Sequence, residues 1–459
     1  MSTLPEGFWI GAATAAYQIE GATTEDGRGP SIWDTFSHTP GKTRDGDTGD
    51  VANDSYHRLD EDLDLIRSLH LDAYRFSIAW PRIVPAGTGP VNAAGLDYYD
   101  RVVDGLLERG VAPVATLYHW DLPQALEDRG GWTSRETSAA FAEYAAAVGR
   151  RLGDRVRVWT TLNEPWCSAF VGHAEGRHAP GRTSGLEALQ AVHHLNLAHG
   201  LGVEALRSVV RSPDAAYSVT HNLAAVYPID PDSAEDRDAA RRVDALQNRS
   251  FTEPQLRGVY SEDLLADTSR ITDWSFVLPG DLERIHQPID SLGINYYKPE
   301  VVGRGPERPI AAFPGADRVR WAPREEPLTE MGWDVLPTGL YDLLALMHER
   351  YPELDLMITE NGAAYADEVV VADGVARVHD DRRVAYLRSH VEQALRALDD
   401  GLPLTAYFAW SLMDNFEWAH GYSKRFGITY VDYETQQRIV KDSGRWWAEL
   451  ARTRTLPTA

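Results

Sequence analysis

A chain of 459 residues with 43% hydrophobic and 25% charged content can bury a large core and has the makeup of an ordinary globular protein. Its 69 acidic residues against 45 basic ones leave a net charge of −24, a surface that repels nucleic acid and anionic membranes and excludes both as expected partners. The single cysteine, Cys167, rules out an intrachain disulfide and asks for no oxidising compartment.

Taken in order, the chain alternates between strand-like and helix-like segments. Residues 8–11 open as a short apolar strand that runs through small residues to Gln18. No Lys or Arg precedes this stretch, the first being Arg28, so the positive segment of a secretory signal is missing and the expected location is cytoplasmic. No run reaches the ~18 apolar residues that span a bilayer. Residues 28–53 are rich in Gly, Pro, Asp and Thr and read as loop. Leu59, Leu63, Ile66 and Leu69 recur at helical spacing, and residues 72–80 follow as a strand ended by Pro81. A helix through Leu96, Tyr99, Val103, Leu106 and Leu107 stops at Gly110 and feeds a strand over 111–120, which ends in His119 and Trp120.

Thr133 and Glu136 form a capping-box pattern ahead of a helix through Phe141, Tyr144, Val148 and Leu152. Val156, Val158, Thr160 and Leu162 then alternate with Arg155, Arg157, Trp159 and Thr161, the period of a strand. Pro165 biases Glu164 away from helix, so this strand should finish on Glu164. A helix over 188–205 carries His193, His194 and His199, and a strand over 216–222 follows. Residues 224–288 are acidic and irregular and read as helices and surface loops. Residues 291–297 form another strand. After a loop-rich region to Trp333, Leu340, Leu343, Leu344 and Met347 mark a helix, and the strand over 354–359 ends on Glu360. Residues 369–371 and 375–378 flank Asp373-Gly374 as a hairpin. A helix through Tyr386, Leu387, Val391 and Leu395, a strand over 404–410 and a helix over 446–450 complete the chain. Eight strands, each followed by helical material and with no linker-like shift in composition, predict an α/β fold. The prediction is one closed (β/α)8 TIM barrel over residues 1–459, in preference to a doubly wound sheet.

In such a barrel the active site lies at the C-terminal ends of the strands. Polar residues collect there: Gln18, Arg75, His119 with Trp120, Asn163 with Glu164, Asn295 with Tyr297, Glu360 and Trp410. Taken singly, His119 reads as a structural histidine, Arg75 as a buried ion-pair partner, Trp410 as core and Glu164 as a solvated strand end. Their shared position favours a cleft. The 14 Trp and 20 Tyr suit a sugar cleft, where pyranose faces stack on aromatic rings while carboxylates hold hydroxyls. Two strand-end glutamates are what glycoside hydrolysis needs, one to protonate the leaving oxygen and one to attack or stabilise the anomeric carbon. No G-x-S-x-G, P-loop or H-E-x-x-H motif competes, and the three helical histidines lack clustered acidic partners. Neither a metal nor another cofactor is expected.

Seven motifs stand in order along the chain. They are residues 8–20 with Gln18 and Glu20, Tyr74-Arg75-Phe76-Ser77, Tyr118-His119-Trp120-Asp121 and Thr161-Leu162-Asn163-Glu164-Pro165. Asn295-Tyr296-Tyr297, Ile358-Thr359-Glu360-Asn361-Gly362 and the run from Trp410-Ser411 to Asp414-Asn415-Phe416-Glu417-Trp418 complete them. Through them the chain resembles glycoside hydrolase family 1, and within it the bacterial β-glucosidases, from residue 8 to about residue 447.

The resemblance implies a retaining double displacement on small-molecule β-glucosides and short oligosaccharides. Glu360 is similar to the family's nucleophile and Glu164 to its acid/base, with carboxyls ~5–5.5 Å apart. Arg75 and Tyr297 resemble the groups that keep Glu360 ionised and oriented, and Asn163 the donor to the 2-hydroxyl. Gln18, His119, Glu417 and Trp418 resemble hydroxyl clamps, Trp410 a stacking floor, and Trp120 and Asn295 the rest of the glycone shell. Trp333 resembles a platform on the aglycone side. A cis bond at Trp410-Ser411 is also implied. Glu417 disfavours the phospho-β-glycosidase branch by repelling a 6-phosphate, and Glu164 in place of Gln disfavours the thioglucosidase branch. Ile10 and Ser250 depart from the family's usual residues and are expected to bear on aglycone preference through packing or loop shape. A catalytically silent sugar-binding barrel remains an alternative, and the oligomeric state is not legible.

Overall fold

In the computed structural model, which describes residues 3–324 and 326–457, eight parallel strands pair edge to edge until the last meets the first. They are β1 (Trp9–Ala13), β2 (Ala73–Ser77), β3 (Ala112–Tyr118), β4 (Val158–Asn163), β5 (Ala216–His221), β6 (Ser291–Asn295), β7 (Asp355–Asn361) and β8 (Leu404–Trp410). This is the (β/α)8 barrel. Closure runs through β1, which pairs Gly11 with Ala73 of β2 on one side and with Phe408 of β8 on the other. A closed sheet has no free edge, so every strand is hydrogen-bonded on both sides.

Every residue of β4 is buried, because one side of the strand fills the barrel and the other meets helices. The period-two alternation in this stretch therefore separates two dry environments, not core from water.

The surrounding helices include Ala93–Glu108, Arg135–Leu152, Gly185–Val209, Pro337–Arg350, Asp381–Asp399 and Asp442–Thr453. Gly110 stops the first of these as its spacing predicts. It takes a left-handed φ of 74°, its N–H donates to Leu107 O, and the Val111 N–H donates back to Leu106 O. The expected hairpin is present as Val369–Ala372 and Val375–Val378, with Asp373 and Gly374 both at positive φ.

Several boundaries differ from expectation. The first strand ends at Ala13, and Gln18 sits on the following helical turn, Ala16–Ile19. The second ends at Ser77, and Pro81 helps to open the turn Trp80–Ile83 instead of closing a strand. A proline in the first turn of a helix gives up an N–H that has no partner there anyway. Ser134, not Thr133, caps the helix Arg135–Leu152, accepting the Glu136 N–H, while the Thr133 hydroxyl donates to Gly130 O. Within residues 224–288 the strand Val226–Pro228 joins Glu300–Arg304 and Val319–Trp321 in a three-stranded sheet. Two of these strands span only three residues, too few for a period to show. No helix among the described residues is long and apolar enough to cross a membrane.

The closure point is tight. A Cβ on Gly11 would lie 2.5 Å from Phe408 Cδ1 and 2.6 Å from Ala73 O, and the Gly11 carbonyl accepts Trp447 Nε1–H at 2.9 Å. Gly11→Val should therefore destabilise the fold by about 3 kcal/mol or more, read as a lower urea midpoint in tryptophan fluorescence. An unchanged midpoint would contradict this account of closure.

Candidate active site

The C-terminal rim of the barrel opens into a cavity of about 580 Å³. Of the residues singled out in the sequence, His119, Trp120, Glu164, Asn295, Tyr297, Trp333, Glu360, Trp410, Glu417 and Trp418 line it. Gln18, Arg75 and Asn163 are fully buried; Arg75 and Asn163 bond the lining residues Glu360 and His119, and Gln18 bonds Phe416, next in sequence to Glu417. Three of the lining residues hold a left-handed backbone without being glycine: Trp120 at φ 76°, Glu164 at 45° and Trp418 at 50°. Such conformations persist in non-glycine residues only where the surroundings over-determine them. Glu164 thus lies one residue beyond β4, turned by its own backbone.

A directed hydrogen-bond network explains how the strands aim their side chains. The Thr359 hydroxyl on β7 donates to Asn295 Oδ1 at 2.7 Å. That leaves Asn295 Nδ2 to donate to Glu164 Oε1 at 2.7 Å and to Asn163 Oδ1 at 3.1 Å. Arg75 reaches across the barrel, its Nη1 donating to Glu360 Oε1 at 2.7 Å and its Nη2 to Asn163 Oδ1 at 2.6 Å. The Tyr297 hydroxyl donates to Glu360 Oε2, also at 2.7 Å. With Asn163 Oδ1 taken, its Nδ2 faces His119 Nε2 at 3.1 Å. Burial and the Arg75 charge push His119 well below its ordinary range, so the ring is neutral. Nε2 is then the acceptor and Nδ1 carries the proton, buried and with no protein partner.

Gln18 is held by donating Nε2–H to Asn415 Oδ1 at 2.9 Å and to Phe416 O at 2.8 Å, which leaves Oε1 buried and unpartnered. Trp120 lines the cavity beside His119. Its indole N–H is committed to Asn163 O at 2.9 Å, so it offers the cavity a ring face and steadies Asn163. Trp418 lies nearly parallel to Tyr17, and the His119 ring lies nearly parallel to both Trp410 and Trp418. Trp333 packs against Tyr297 and Phe426. The loop that carries Glu417 and Trp418 is anchored by Asp414, whose carboxylate accepts Lys441 Nζ–H and Arg425 Nη1–H, both at 2.7 Å. The Trp410-Ser411 bond is cis. Ile10 and Ser250 lie outside the cavity lining, the first in β1 with its N–H on Asp72 Oδ2, the second with its hydroxyl on Leu246 O. Their expected bearing on aglycone preference has no contact in this structure to carry it.

Some functional neighbours escaped the sequence. Cys167 donates its thiol hydrogen to Glu164 Oε2 at 3.2 Å. Trp166, Asn222, Phe313 and Trp321 line the outer cavity. Cys167 and Trp166 stand directly after the Asn163-Glu164-Pro165 run, a signal of position that was available. Trp321 ends a three-residue strand and had none.

Of the carboxyls that line the cavity, those of Glu164, Glu360 and Glu417 share one low-dielectric space. Burial, and then the Glu360 charge, push Glu164 up to about 8. Burial and the charges of Glu164 and Glu360 push Glu417 up to about 8 as well. Burial also raises Glu360, but the Arg75 guanidinium opposes it most, helped by the Tyr297 hydroxyl. Two strong donors on Glu360 against an amide and a thiol on Glu164 favour the ionised form at Glu360 over that at Glu164.

A family model described as glycosyl hydrolase family 1 matches residues 1–456. The chain is 53% identical over 454 residues to the bifunctional beta-D-glucosidase/beta-D-fucosidase of Bifidobacterium breve, covering 96% of this chain and 97% of that one. It is 47% identical over 453 residues to beta-glucosidase A of Thermotoga maritima, covering 98% of each. Among solved structures, the psychrophilic beta-glucosidase BglU from Micrococcus antarcticus superposes with a TM-score of 0.94 at 48% identity, over 99% of this chain and 98% of that one.

A folded-state carboxyl raised to about 8 binds a proton that the unfolded chain releases near its ordinary value of 4.5. Stability from this group is therefore present at acid pH and lost as pH rises from about 4.5 to 8. Glu164→Gln, which cannot ionise, should gain on the parent across that window by on the order of a few kcal/mol. Paired thermal melts at pH 5 and pH 8 check this, and a difference that stays flat with pH contradicts it.

Proposed function

The chain belongs to glycosyl hydrolase family 1, and from that membership we propose that it is a retaining β-glucosidase with Glu360 as nucleophile and Glu164 as acid/base. Its substrates on this reading are terminal non-reducing β-D-glucosyl residues of cellobiose, short cello-oligosaccharides and aryl β-glucosides, extending to β-fucosides and β-galactosides. The name of the Bifidobacterium relative supports the fucoside extension. The observation that carries the reading is the opposite treatment of two neighbouring carboxyls. Glu360 receives Arg75 and Tyr297, each at 2.7 Å, while Glu164 receives an amide and a thiol and forms no ion pair among the described residues.

In the first step a Glu360 oxygen bonds to the anomeric carbon as the bond to the aglycone oxygen breaks, and the Glu164 proton goes to that oxygen. Forming the ester removes the Glu360 charge, the second-largest cause of the raised Glu164 pKa. Glu164 is left as a carboxylate able to take a proton from water. That water attacks the same carbon from the vacated side and restores Glu360, so two inversions give net retention. On this reading Asn163 Nδ2 donates to the 2-hydroxyl, a hydrogen bond that strengthens as charge develops at the ring. Gln18 Oε1, His119 Nδ1 and Glu417 are the groups available to the outer hydroxyls. The balance of both steps calls for carboxyls and water alone, so we assign no cofactor.

A 6-phosphorylated sugar would bring anionic charge against Glu417, whose ionisation the neighbouring carboxyls already oppose, which disfavours the phospho-glycosidase reading. The intact carboxyl pair disfavours a silent sugar-binding barrel. The same proposal treats the whole chain as one catalytic barrel acting in the cytoplasm, supported by a lone cysteine that needs no oxidising compartment.

A 2-deoxy-2-fluoro-β-glucosyl fluoride should trap the ester, and peptide mass spectrometry should find the label on Glu360. A label elsewhere, or none, would overturn the assignment. Glu164→Ala should lose ~10²–10⁴-fold on cellobiose yet keep far more activity on 2,4-dinitrophenyl β-glucoside, whose leaving group needs no proton. Cellobiose should be hydrolysed in preference to its phosphorylated counterpart.

A further inference from the structure

Cys167 is the one cysteine of the chain, and its side chain meets the carboxyl proposed above as the acid/base. Glu164 and Cys167 share one turn, since the Cys167 N–H donates to Glu164 O at 2.9 Å. Pro165, which cannot donate, starts the turn. The thiol then reaches Glu164 Oε2 at 3.2 Å. The other face of the sulfur receives Asn222 Nδ2–H at 3.5 Å, which leaves the S–H free to point at the carboxyl. Glu164 Oε1 is already taken by Asn295. Oε2 is therefore the oxygen that must carry the transferable proton and face the glycosidic bond, and the thiol sits on that oxygen.

We propose that Cys167 is a positioning residue for acid/base catalysis. Its S–H orients Oε2 toward the leaving group and stabilises the carboxylate that remains once the proton has left. This deepens the reading of Glu164 as acid/base and rests on it. A weak neutral donor suits a group that must both give and take a proton. A cation in its place would hold Glu164 permanently ionised, and no donor would leave a weaker acid. Burial and the Glu164 charge push the thiol up, so it stays a neutral donor over the working range. The charged and titratable groups facing Glu164 are Glu360 and Tyr297 at the ends of β7 and β6, Arg75 on β2, and Glu417 on the loop after β8. Arg177 faces the thiol.

The test compares the parent, Cys167→Ser and Cys167→Ala in pH profiles of kcat/KM. In Cys167→Ala the alkaline limb should move up by about 0.5–1 pH unit, because the carboxylate loses a donor. The kcat/KM for cellobiose should fall several-fold, while that for 2,4-dinitrophenyl β-glucoside, whose leaving group needs no proton, should change far less. In Cys167→Ser the hydroxyl should restore both limb and rate toward the parent. An alkaline limb common to all three proteins overturns the proposal, as does an equal loss on both substrates, which is what a merely structural role would produce. Glu164→Gln in the same assay separates the two levels of argument. If its alkaline limb matches the parent's, Glu164 is not the acid and the parent reading fails. If the limb vanishes there but ignores Cys167, only the present inference fails.

Discussion

One guanidinium holds the site together. Arg75 donates to Glu360 and to Asn163 from within the barrel and has almost no solvent exposure. A buried charge of this kind is tolerable only where its counter-ion and hydrogen bonds are in place, and removing one partner is far more costly than never having built the pair. Those partners come from β7 and β4 while Arg75 comes from β2, so the interaction exists only after the sheet has curved round on itself. The electrostatics of the site and the closure of the barrel are one constraint seen from two sides.

From this pair the rest of the network inherits its direction. Arg75 on Asn163 Oδ1 turns the Asn163 amide toward His119, and Thr359 on Asn295 Oδ1 turns that amide toward Glu164. A flipped Asn163 would set its amide N–H against the Arg75 donor, and a flipped Asn295 would set its carbonyl oxygen against Asn163 Oδ1. The two glutamates thus occupy chemically different places although they are the same residue type at equivalent strand ends.

The barrel was legible because its helices and strands are punctuated, as at Gly110 and Asp373-Gly374, and because catalytic groups of such a fold stand at strand ends. What was not legible depends on partners far away in sequence. Pro81 could close a strand or open a helix, and only the turn at Trp80–Ile83 decides between them. Thr133 and Ser134 are equally good caps on paper until the Thr133 hydroxyl is seen bound to Gly130. Trp120 was recognisable as a cavity residue, but its indole N–H is spent on a backbone carbonyl of the next strand. Cys167 had only its place three residues after Glu164 to mark it, and a buried thiol is most often a small apolar filler.

The pairing of β1 with β8 also has a cost in time. Gly11 meets Ala73 early in the chain but waits about 400 residues for Phe408. At synthesis rates of roughly 5–20 residues per second, that edge of β1 stays bare for about 20–80 seconds on the ribosome. Throughout that interval the nascent chain presents an unpaired strand and an incomplete cleft, and a neighbouring nascent chain could supply the missing edge.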